Sequence, residues 1–388
     1  MVAPVSARVT ELDGIRGIAV LLILITHFSF AGPPGILTSA ATLGWVGVEL
    51  FFVLSGCLIT GILLHVKDSP DYFRTFYTKR ALRIFPLYFA AIAFTFWIAL
   101  PLARRAGLPH DWTLIPPSEQ VWYWLHISNW RTAFGHYATE PIGQYWSLAI
   151  EEQFYLLWPL VVFLCSEKRL LRVALLIALA SFALRNAPFL APVQAEYPQF
   201  LYRLTPTHID GLAIGACIPL VMRNPALLPV ARRVVNIALV ICGAASALVI
   251  SRAQSMHLED PVLVSAGYGI FAWTFGALLL RTVLLAGSGD PLCWIFRSRF
   301  LCSFGAYSYA IYVLHPLYVE PVRAISWSIL PHGYWPALSI GAGMLISYGV
   351  GFCSWHLLEK RFIQWKDRLT YRRTAETHSD RAALLNST

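Results

Sequence analysis

Arg16 and His27 lie eleven residues apart in the first hydrophobic stretch of the chain, and this spacing places them on one helical face. At about 100° per residue, their side chains lie within about 20° of each other around the helix and about 16 Å apart along it. An ionisable residue costs a few kcal/mol inside a membrane, which makes it a candidate functional residue. A guanidinium binds anions, and an imidazole takes up and releases protons near neutral pH. The structural alternative is a histidine that only hydrogen-bonds a neighbouring helix.

Two more arginines are expected beside Arg16 at the inner edge of the membrane. Arg80 and Arg83 open the third hydrophobic stretch, and their spacing of three places them on one helical face. Guanidinium groups stay charged and bind phosphate oxygens in pairs, so the three arginines predict a site for a phosphate-bearing ligand. The alternative is that they only anchor helix ends, as basic residues do on the cytoplasmic side of a membrane.

A second group of polar residues is expected near the outer ends of the hydrophobic stretches. Ser147, Glu151 and Tyr155 are four residues apart, so they share one face of a helix. Each polar residue alone could be a structural hydrogen bonder, but several acids and two histidines at one depth favour a polar cavity, because buried charges need partners or water. The candidate substrate-binding or supporting residues in this group are Glu49, Ser147, Glu152, Tyr155, Asp210 and His315, and Asp13, at the inner end of the first stretch, is a further candidate.

These residues must be positioned by helices that cross a membrane. Hydrophobic residues make up 57% of the chain and charged residues only 13%, against roughly 25% charged residues in a soluble domain. A shorter aromatic stretch at 121–130 is expected to lie in the interface or to re-enter the membrane. We predict an all-α membrane protein, a polytopic bundle of about ten transmembrane helices plus one interfacial or re-entrant helix. The ten stretches long enough to cross about 30 Å of hydrocarbon lie near 15–31, 44–65, 83–103, 145–165, 171–190, 207–222, 234–250, 261–285, 301–319 and 335–357.

The positions of the basic residues orient this bundle. With the N-terminus in the cytoplasm, 23 of the 30 Lys and Arg residues fall in inner segments, and the other seven, including Arg185, fall in outer segments. This bias predicts that both termini are cytoplasmic. It also accounts for the net charge of +9 without a nucleic-acid partner. We expect an integral membrane domain at 1–358 and a cytoplasmic tail at 359–388. No Cys-x-x-Cys or His-Glu-x-x-His motif occurs, so no metal site is expected.

Five strings spread over most of the chain together resemble the acyltransferase 3 family of integral membrane O-acyltransferases in its bacterial form. They are Leu12-Asp-Gly-Ile-Arg-Gly-Ile-Ala19 leading to His27, Gly47-Val-Glu-Leu-Phe-Phe-Val-Leu-Ser-Gly56, Arg80-x-x-Arg83-x-x-Pro86, Trp146-Ser-Leu-Ala-Ile-Glu-Glu-Gln-Phe-Tyr-Leu-Leu-Trp-Pro159 and Ser308-Tyr-Ala-Ile-Tyr-Val-Leu-His-Pro316.

The resemblance implies a reaction and a role for each group. It implies transfer of an acyl group, acetyl in the first instance, from cytoplasmic acyl-CoA, with no permanently bound cofactor and with location in the bacterial inner membrane. Arg16, Arg80 and Arg83 would bind the donor phosphates. His27 would act as general base on an acceptor hydroxyl or would first take the acyl group itself, and both routes remain open. Glu151 would be the second catalytic residue and would orient or charge-compensate His27.

The acceptor implied by the resemblance is a saccharide of a surface polysaccharide or of a lipid-linked precursor, and the alternative is a macrolide or another glycosylated small molecule. A proton-coupled transporter or flippase is an alternative of another class, and a non-catalytic sensor is a third. Many relatives carry a fused hydrolase-like domain, so we expect a second transfer step, where one is needed, to use another protein. Aromatic residues of the outer connection could stack on sugar rings, although they are common at any membrane interface: Trp112, Trp122, Tyr123, Trp124, Trp130 and Tyr137.

Overall fold

The computed structural model describes residues 9–29, 41–105, 115–134, 142–190, 201–329 and 335–371. All regular elements in these ranges are helices, which confirms the predicted all-α class. Eight helices in the described residues are long and apolar enough to cross a membrane. They span Thr10–Ser29, Leu43–His65, Tyr72–Arg105, Tyr145–Leu164, Glu167–Ala187, Leu227–Arg252, Leu263–Leu285 and Pro336–Arg368.

The α-helices are numbered in chain order. The first eight are α1 (Thr10–Ser29), α2 (Val46–His65), α3 (Tyr72–Phe94), α4 (Leu100–Arg105), α5 (Val121–Trp124), α6 (Ser128–Ala133), α7 (Tyr145–Leu164) and α8 (Glu167–Leu190). The others are α9 (Thr205–His208), α10 (Asp210–Arg223), α11 (Leu227–Arg252), α12 (Tyr268–Leu285), α13 (Pro291–Phe296), α14 (Arg299–Leu314), α15 (Pro316–Ile329), α16 (Trp335–Ser354) and α17 (Lys360–Arg368). One π-helical turn, Thr95–Ala99, joins α3 to α4, and another, Trp355–Glu359, joins α16 to α17.

Two of the ten predicted spans are shorter or interrupted. Helix α10 has 14 residues, which span about 21 Å and so fall short of a bilayer core of about 30 Å. Helices α14 and α15 follow one another with a break at His315, where Pro316 begins α15. Since Pro316 has no backbone N–H to donate, it ends the hydrogen-bond ladder of α14 at this point.

Helix α16 continues through a wider turn into α17 and ends at Arg368. The expected boundary at 358 between membrane domain and tail therefore falls inside a continuous helix. The division of the chain at that position stays a prediction.

Glycines bring the central helices into backbone contact. Helix α1 packs along α14, and α2 packs along α10. A Cβ atom on Gly17 would lie 2.1 Å from the carbonyl oxygen of Leu301, and one on Gly56 would lie 1.9 Å from that of Leu212. No side chain fits at such distances, so small residues set the spacing of these helices, as is common in membrane proteins. This close packing holds α1, which carries Arg16 and His27, rigidly in the bundle.

The predicted interfacial stretch forms two short helices, α5 and α6, rather than one. Tyr123 and Asn129 are fully buried, whereas Val121 and Leu125 are exposed, so one side of the stretch packs into the bundle. Among the aromatic residues proposed as a sugar platform, Trp112 and Tyr137 lie outside the described residues. The ring of Trp124 packs against Phe89 of α3, with centroids 5.7 Å apart. Through this contact α5 packs against α3 and stabilises its position.

One charged contact fastens the loop that follows α12. The Asp290 carboxylate accepts hydrogen bonds from the guanidinium of Arg281 at 2.6 and 2.9 Å. It also accepts from the backbone N–H groups of Leu292 and Cys293, which caps helix α13. The hydrogen bond from Arg281 lowers the pKa of Asp290 to about 2, so this carboxylate is ionised at neutral pH.

Candidate active site

A cavity of about 1060 Å³, open solvent at its mouth included, lies among α1, α2, α3, α7 and α14. Seven of the residues predicted from the sequence line it: Arg16, Arg80, Arg83, Ser147, Glu151, Glu152 and Tyr155. Apolar side chains, among them Phe51, Phe52 and Ile59, form much of the remaining wall. The fold therefore brings the predicted inner cluster and part of the outer cluster into one space.

The three arginines lie at one end of the cavity. Arg16 pairs with Asp13, one turn earlier on α1, at 3.0 Å. The guanidinium of Arg80 lies 4.0 Å from the centroid of the Tyr155 ring, and its buried Nε atom has no hydrogen-bond partner among the described residues. Arg83 is exposed. Such a group of like charges, with donors to spare, is suited to binding an anion.

Glu151 faces the same cavity from α7. Its Oε1 atom accepts a hydrogen bond of 2.7 Å from the hydroxyl of Ser55 on α2. Ser55 lies in the predicted Gly47–Gly56 string but was not singled out as a site residue, because serine is common in membrane helices and its direction depends on helix rotation. Glu152 also lines the cavity, so two carboxylates face three guanidinium groups there.

A path of polar side chains leads from the cavity to His27. The hydroxyl groups of Ser147 and Tyr312 hydrogen-bond to each other, and both residues line the cavity. The Tyr312 ring lies 5.8 Å from that of His315, and the His315 ring lies 4.9 Å from that of His27. His27 and His315 thus lie behind Tyr312, beyond the wall that the described residues form.

The backbone contacts of the two histidines define their tautomers. The Nδ1 atom of His27 lies 2.9 Å from the carbonyl oxygen of Ile23, and that of His315 lies 3.0 Å from the carbonyl oxygen of Ile311. A carbonyl oxygen only accepts, so each Nδ1 must carry the proton and each neutral ring leaves its Nε2 lone pair free. The Nε2 atom of His315 is buried and has no hydrogen-bond partner among the described residues. Both rings are therefore set up to accept a proton at Nε2.

Glu151 and His27 contact different neighbours among the described residues, and the expected support of His27 by Glu151 stays a prediction. The contact of the Glu151 carboxylate is with Ser55, whereas the His27 ring contacts Ile23 and His315. One turn of α7 separates Glu151 from Ser147, which begins the polar path to the histidines. A role for Glu151 toward His27 would act through that path, because α1 and α7 present the two side chains to different neighbours.

Glu49 and Asp210 belong to a second buried cluster. Glu49 pairs with His208, and Asp210 pairs with Arg185 at 2.7 Å. The side chains of all four residues are almost completely buried, at 2% exposure or less. The ring of Phe52, which lines the cavity, packs against His208 with centroids 5.4 Å apart. Phe52 thus lies between this cluster and the cavity.

The sequence interpretation missed His208 and misplaced Arg185. Arg185 was assigned to an outer segment, but it lies within α8 and is fully buried beside Asp210. A buried arginine needs a partner, and the carboxylate of Asp210 supplies one with two hydrogen bonds. His208 precedes Asp210 by two residues, so a second ionisable residue at the start of the sixth stretch was the available signal.

His126 is a further cavity residue that the sequence interpretation missed. It connects α5 to α6, and its imidazole lines the cavity. In the single interfacial helix that the sequence predicts, nothing distinguishes His126 from the aromatic residues on either side. The structure instead places His126 at the break between two short helices.

The helices and the cavity define a multi-pass membrane protein in which a cavity lined by three arginines leads, through Ser147 and Tyr312, to the half-buried His27 and the buried His315. The chain belongs to the acyltransferase 3 family, whose sequence model, described as an acyltransferase domain, matches residues 9–356. Family membership confirms the resemblance noted from the five strings.

Curated relatives in bacteria agree with this assignment. The chain is 28% identical over 326 residues to the peptidoglycan O-acetyltransferase OatA of Listeria monocytogenes, which covers 79% of this chain and 49% of the relative. It is 29% identical over 373 residues to the putative peptidoglycan O-acetyltransferase YrhL of Bacillus subtilis, covering 90% and 54%. The O-acetyltransferase OatA of Staphylococcus aureus is 36% identical over 160 residues, covering 39% and 24%.

The chain thus spans about half the length of the first two relatives. No solved structure matches the chain.

Proposed function

We propose that this protein is a membrane O-acyltransferase that moves an acetyl group from acetyl-CoA to a hydroxyl group of a saccharide. The observation that carries the proposal is a cavity lined both by Arg16, Arg80 and Arg83 and by Tyr312, whose ring neighbours that of His315. Membership of the acyltransferase 3 family favours acyl transfer over the transporter and sensor alternatives.

The arginine end would bind the phosphates of the donor. The spare donor of Arg80 and the exposed position of Arg83 suit a polyanion that enters from outside the bundle. The distribution of basic residues supports placing this end at the cytoplasmic face of the inner membrane, with both termini cytoplasmic. Cytoplasmic acetyl-CoA could then enter the cavity without crossing the bilayer.

The donor arm would run from the arginines toward the histidines. Arg16 and His27 are eleven residues apart on α1, which corresponds to about 16 Å along the helix axis. An extended pantetheine arm can span this distance, and the apolar side chains of the cavity suit its methylene groups. The thioester would therefore come to lie near Tyr312, and the Tyr312 side chain would turn aside to let it reach the histidine pair.

His27 would act through its Nε2 atom. In direct transfer, Nε2 takes the proton of the acceptor hydroxyl while that oxygen attacks the thioester carbonyl carbon. The C–S bond breaks, and the CoA thiolate takes the proton back from His27, so atoms and charge balance. In the other route, Nε2 itself attacks the carbonyl carbon and the C–S bond breaks, which gives an acyl-imidazolium and the CoA thiolate. The acceptor oxygen then attacks the acyl carbon, the bond to Nε2 breaks, and the acceptor proton goes to the thiolate. Both routes require the Nδ1–H tautomer that the Ile23 carbonyl imposes.

His315 would support either route. Its Nε2 lone pair can receive a hydrogen bond from a protonated His27, because the rings are neighbours and both Nδ1 atoms are already donating to carbonyls. A proton taken from the acceptor would thus have a second acceptor next to it in an apolar environment.

The proposed acceptor is a saccharide of the cell envelope or of its lipid-linked precursors. The printed names of the relatives OatA and YrhL, which include peptidoglycan O-acetyltransferase, support this class. The acceptor would approach from the side of the membrane opposite the arginines, where α1 ends at Ser29 and α7 begins at Tyr145.

The proposal is tested with purified protein in lipid nanodiscs, radiolabelled acetyl-CoA and a panel of saccharide acceptors that includes peptidoglycan fragments. We expect release of free CoA together with label on the saccharide, as an ester that mild base removes. Absence of both donor binding and acetyl transfer with every acceptor, by protein that is folded, would contradict the proposed activity.

A further inference from the structure

The connection between α5 and α6 holds His126 in an unusual backbone conformation. Its φ angle is 55°, in the left-handed region. Residues with a Cβ atom are disfavoured there, and such strain persists where the surrounding structure holds it in place. The side-chain amide of Gln153 on α7 donates a 3.0 Å hydrogen bond to the His126 carbonyl and a 2.9 Å bond to the side chain of Asn129. These two hydrogen bonds therefore hold the strained turn against α7.

The imidazole of His126 is buried, but one of its two ring nitrogens lacks a hydrogen-bond partner in the part of the chain that the structure describes. His126 is 8% exposed, and its Nε2 atom has no hydrogen-bond partner among the described residues. The ring stacks on Tyr88, with centroids 4.1 Å apart and an interplanar angle of 22°. Both residues line the cavity that holds the three arginines. A buried polar atom without a hydrogen-bond partner lowers the stability of the fold, unless a ligand supplies the missing hydrogen bond.

The position of His126 along the cavity limits which part of a ligand it can meet. Tyr88 is five residues beyond Arg83 on α3, a rise of about 7.5 Å. Since His126 stacks on Tyr88, it lies about this far beyond Arg83 along the axis of α3. The nearby wall is largely apolar, with Ile84 and Leu148 among its residues.

We propose that His126 binds the pantetheine arm of the acyl-CoA donor by a hydrogen bond between its Nε2 atom and an amide group of the arm. This inference rests on the proposed donor. The pantetheine arm carries amide groups that need partners when they leave water. His126 lines the cavity where the arm would pass, and its Nε2 atom lacks a hydrogen-bond partner among the described residues. His126 is in this account a binding residue for the donor, with no part in proton transfer.

The test uses His126→Gly in the full-length protein in nanodiscs. Glycine adopts the left-handed conformation without a Cβ penalty, so the variant should still fold, with a melting temperature lowered by the loss of the buried ring that stacks on Tyr88. We expect the affinity for acetyl-CoA to fall about fivefold to tenfold, as for the loss of one neutral hydrogen bond. The affinity for adenosine 3′,5′-bisphosphate, which has phosphates but no pantetheine, should stay at the parental value.

Two further variants make the comparison specific. His126→Asn also tolerates the left-handed region but has a shorter side chain, and it should lose acetyl-CoA affinity in the same way. His65→Ala, which changes an exposed histidine at the end of α2, should change neither affinity.

Parental acetyl-CoA affinity in folded His126→Gly and His126→Asn proteins would overturn the role of His126 while leaving the proposed enzyme intact. An equal loss of affinity for both ligands would also overturn it, because that loss would reflect a general change in the cavity. If the parent protein binds neither ligand, the proposed donor and the role of His126 both fail.

Discussion

The imidazole rings of His27 and His315 lie 4.9 Å apart at an interplanar angle of 62°, where α1 faces the break between α14 and α15. Each ring donates its Nδ1–H to the carbonyl oxygen four residues earlier, so two Nε2 lone pairs remain. Two such neutral rings cannot hydrogen-bond to each other through Nε2, and His315 is the neighbouring base to a proton added at His27. This relationship makes His315 the residue that would most directly support proton uptake at His27.

The first prediction concerns His315→Ala. His27 would keep its tautomer but lose the neighbour that shares the transferred proton, so we expect acetyl turnover to fall by about 10-fold to 100-fold. Acetyl-CoA affinity should stay unchanged, since His315 lies away from the arginine end. Steady-state kinetics with a direct binding measurement on the same preparation separates the two effects. Full turnover in stable His315→Ala protein would remove His315 from the mechanism.

The second prediction concerns the arginine end of the cavity. Arg80→Ala and Arg83→Ala should each weaken acetyl-CoA binding by about 10-fold or more, because each removes a charged partner of the phosphates. The remaining affinity should depend less steeply on salt than in the parent. Arg74→Ala is the matched control, since Arg74 is an exposed arginine earlier on α3. Equal donor affinities in all three variants would return Arg80 and Arg83 to the role of membrane anchors.

The third prediction concerns Glu151→Gln. Glutamine can still accept the hydrogen bond from Ser55, so the variant mainly removes one negative charge that faces the arginines. We expect donor binding to be unchanged or tighter, and turnover to fall by at least about 10-fold if the carboxylate compensates a positive charge that forms on the histidines. Ser55→Ala, which removes the hydrogen bond but keeps the charge, should have the smaller effect. Turnover near the parental value in Glu151→Gln would assign the carboxylate a structural role only.

The fourth prediction concerns the buried pair of Arg185 and Asp210. Asp210→Ala would leave the Arg185 charge buried without its partner, which should destabilise the fold by about 3–5 kcal/mol. The double variant Arg185→Met with Asp210→Leu should recover part of this loss. Arg223→Ala, which breaks the exposed pair with Glu167, should cost about 1 kcal/mol or less. Denaturation of the purified proteins in one detergent measures all three, and equal stability of Asp210→Ala and the parent would contradict a supporting role for the pair.

Features that depend on position within one helix could be predicted from the sequence. Ser147, Glu151 and Tyr155 share one face of α7, and all three line the cavity, because a spacing of four sets their direction whatever the neighbouring helices are. The three arginines likewise meet at one end, since their depth follows from the start of each hydrophobic stretch. The helical membrane class follows from composition in the same direct way.

Features that depend on how helices face one another could not be predicted. Almost every residue of α10 is buried, so its sequence has no apolar face from which the direction of Asp210 could be read. The partner of Asp210 is Arg185 on another helix, and the hydrophobic pattern does not encode that pairing. The left-handed turn at His126 escaped prediction because it has no glycine to mark it.

The most direct test of the whole account is acetyl transfer by the His27→Ala protein. His27→Ala and the matched control His65→Ala would be purified into identical nanodiscs, checked for equal folding and acetyl-CoA affinity, and assayed with labelled acetyl-CoA and the acceptor that the parent uses. Because His27 is proposed to handle the proton or the acyl group, we expect His27→Ala to lose transfer by at least about 100-fold while it still binds acetyl-CoA. His65→Ala should transfer acetyl groups at the parental rate. Parental transfer by folded His27→Ala protein would contradict the central claim that this imidazole handles the proton or the acyl group.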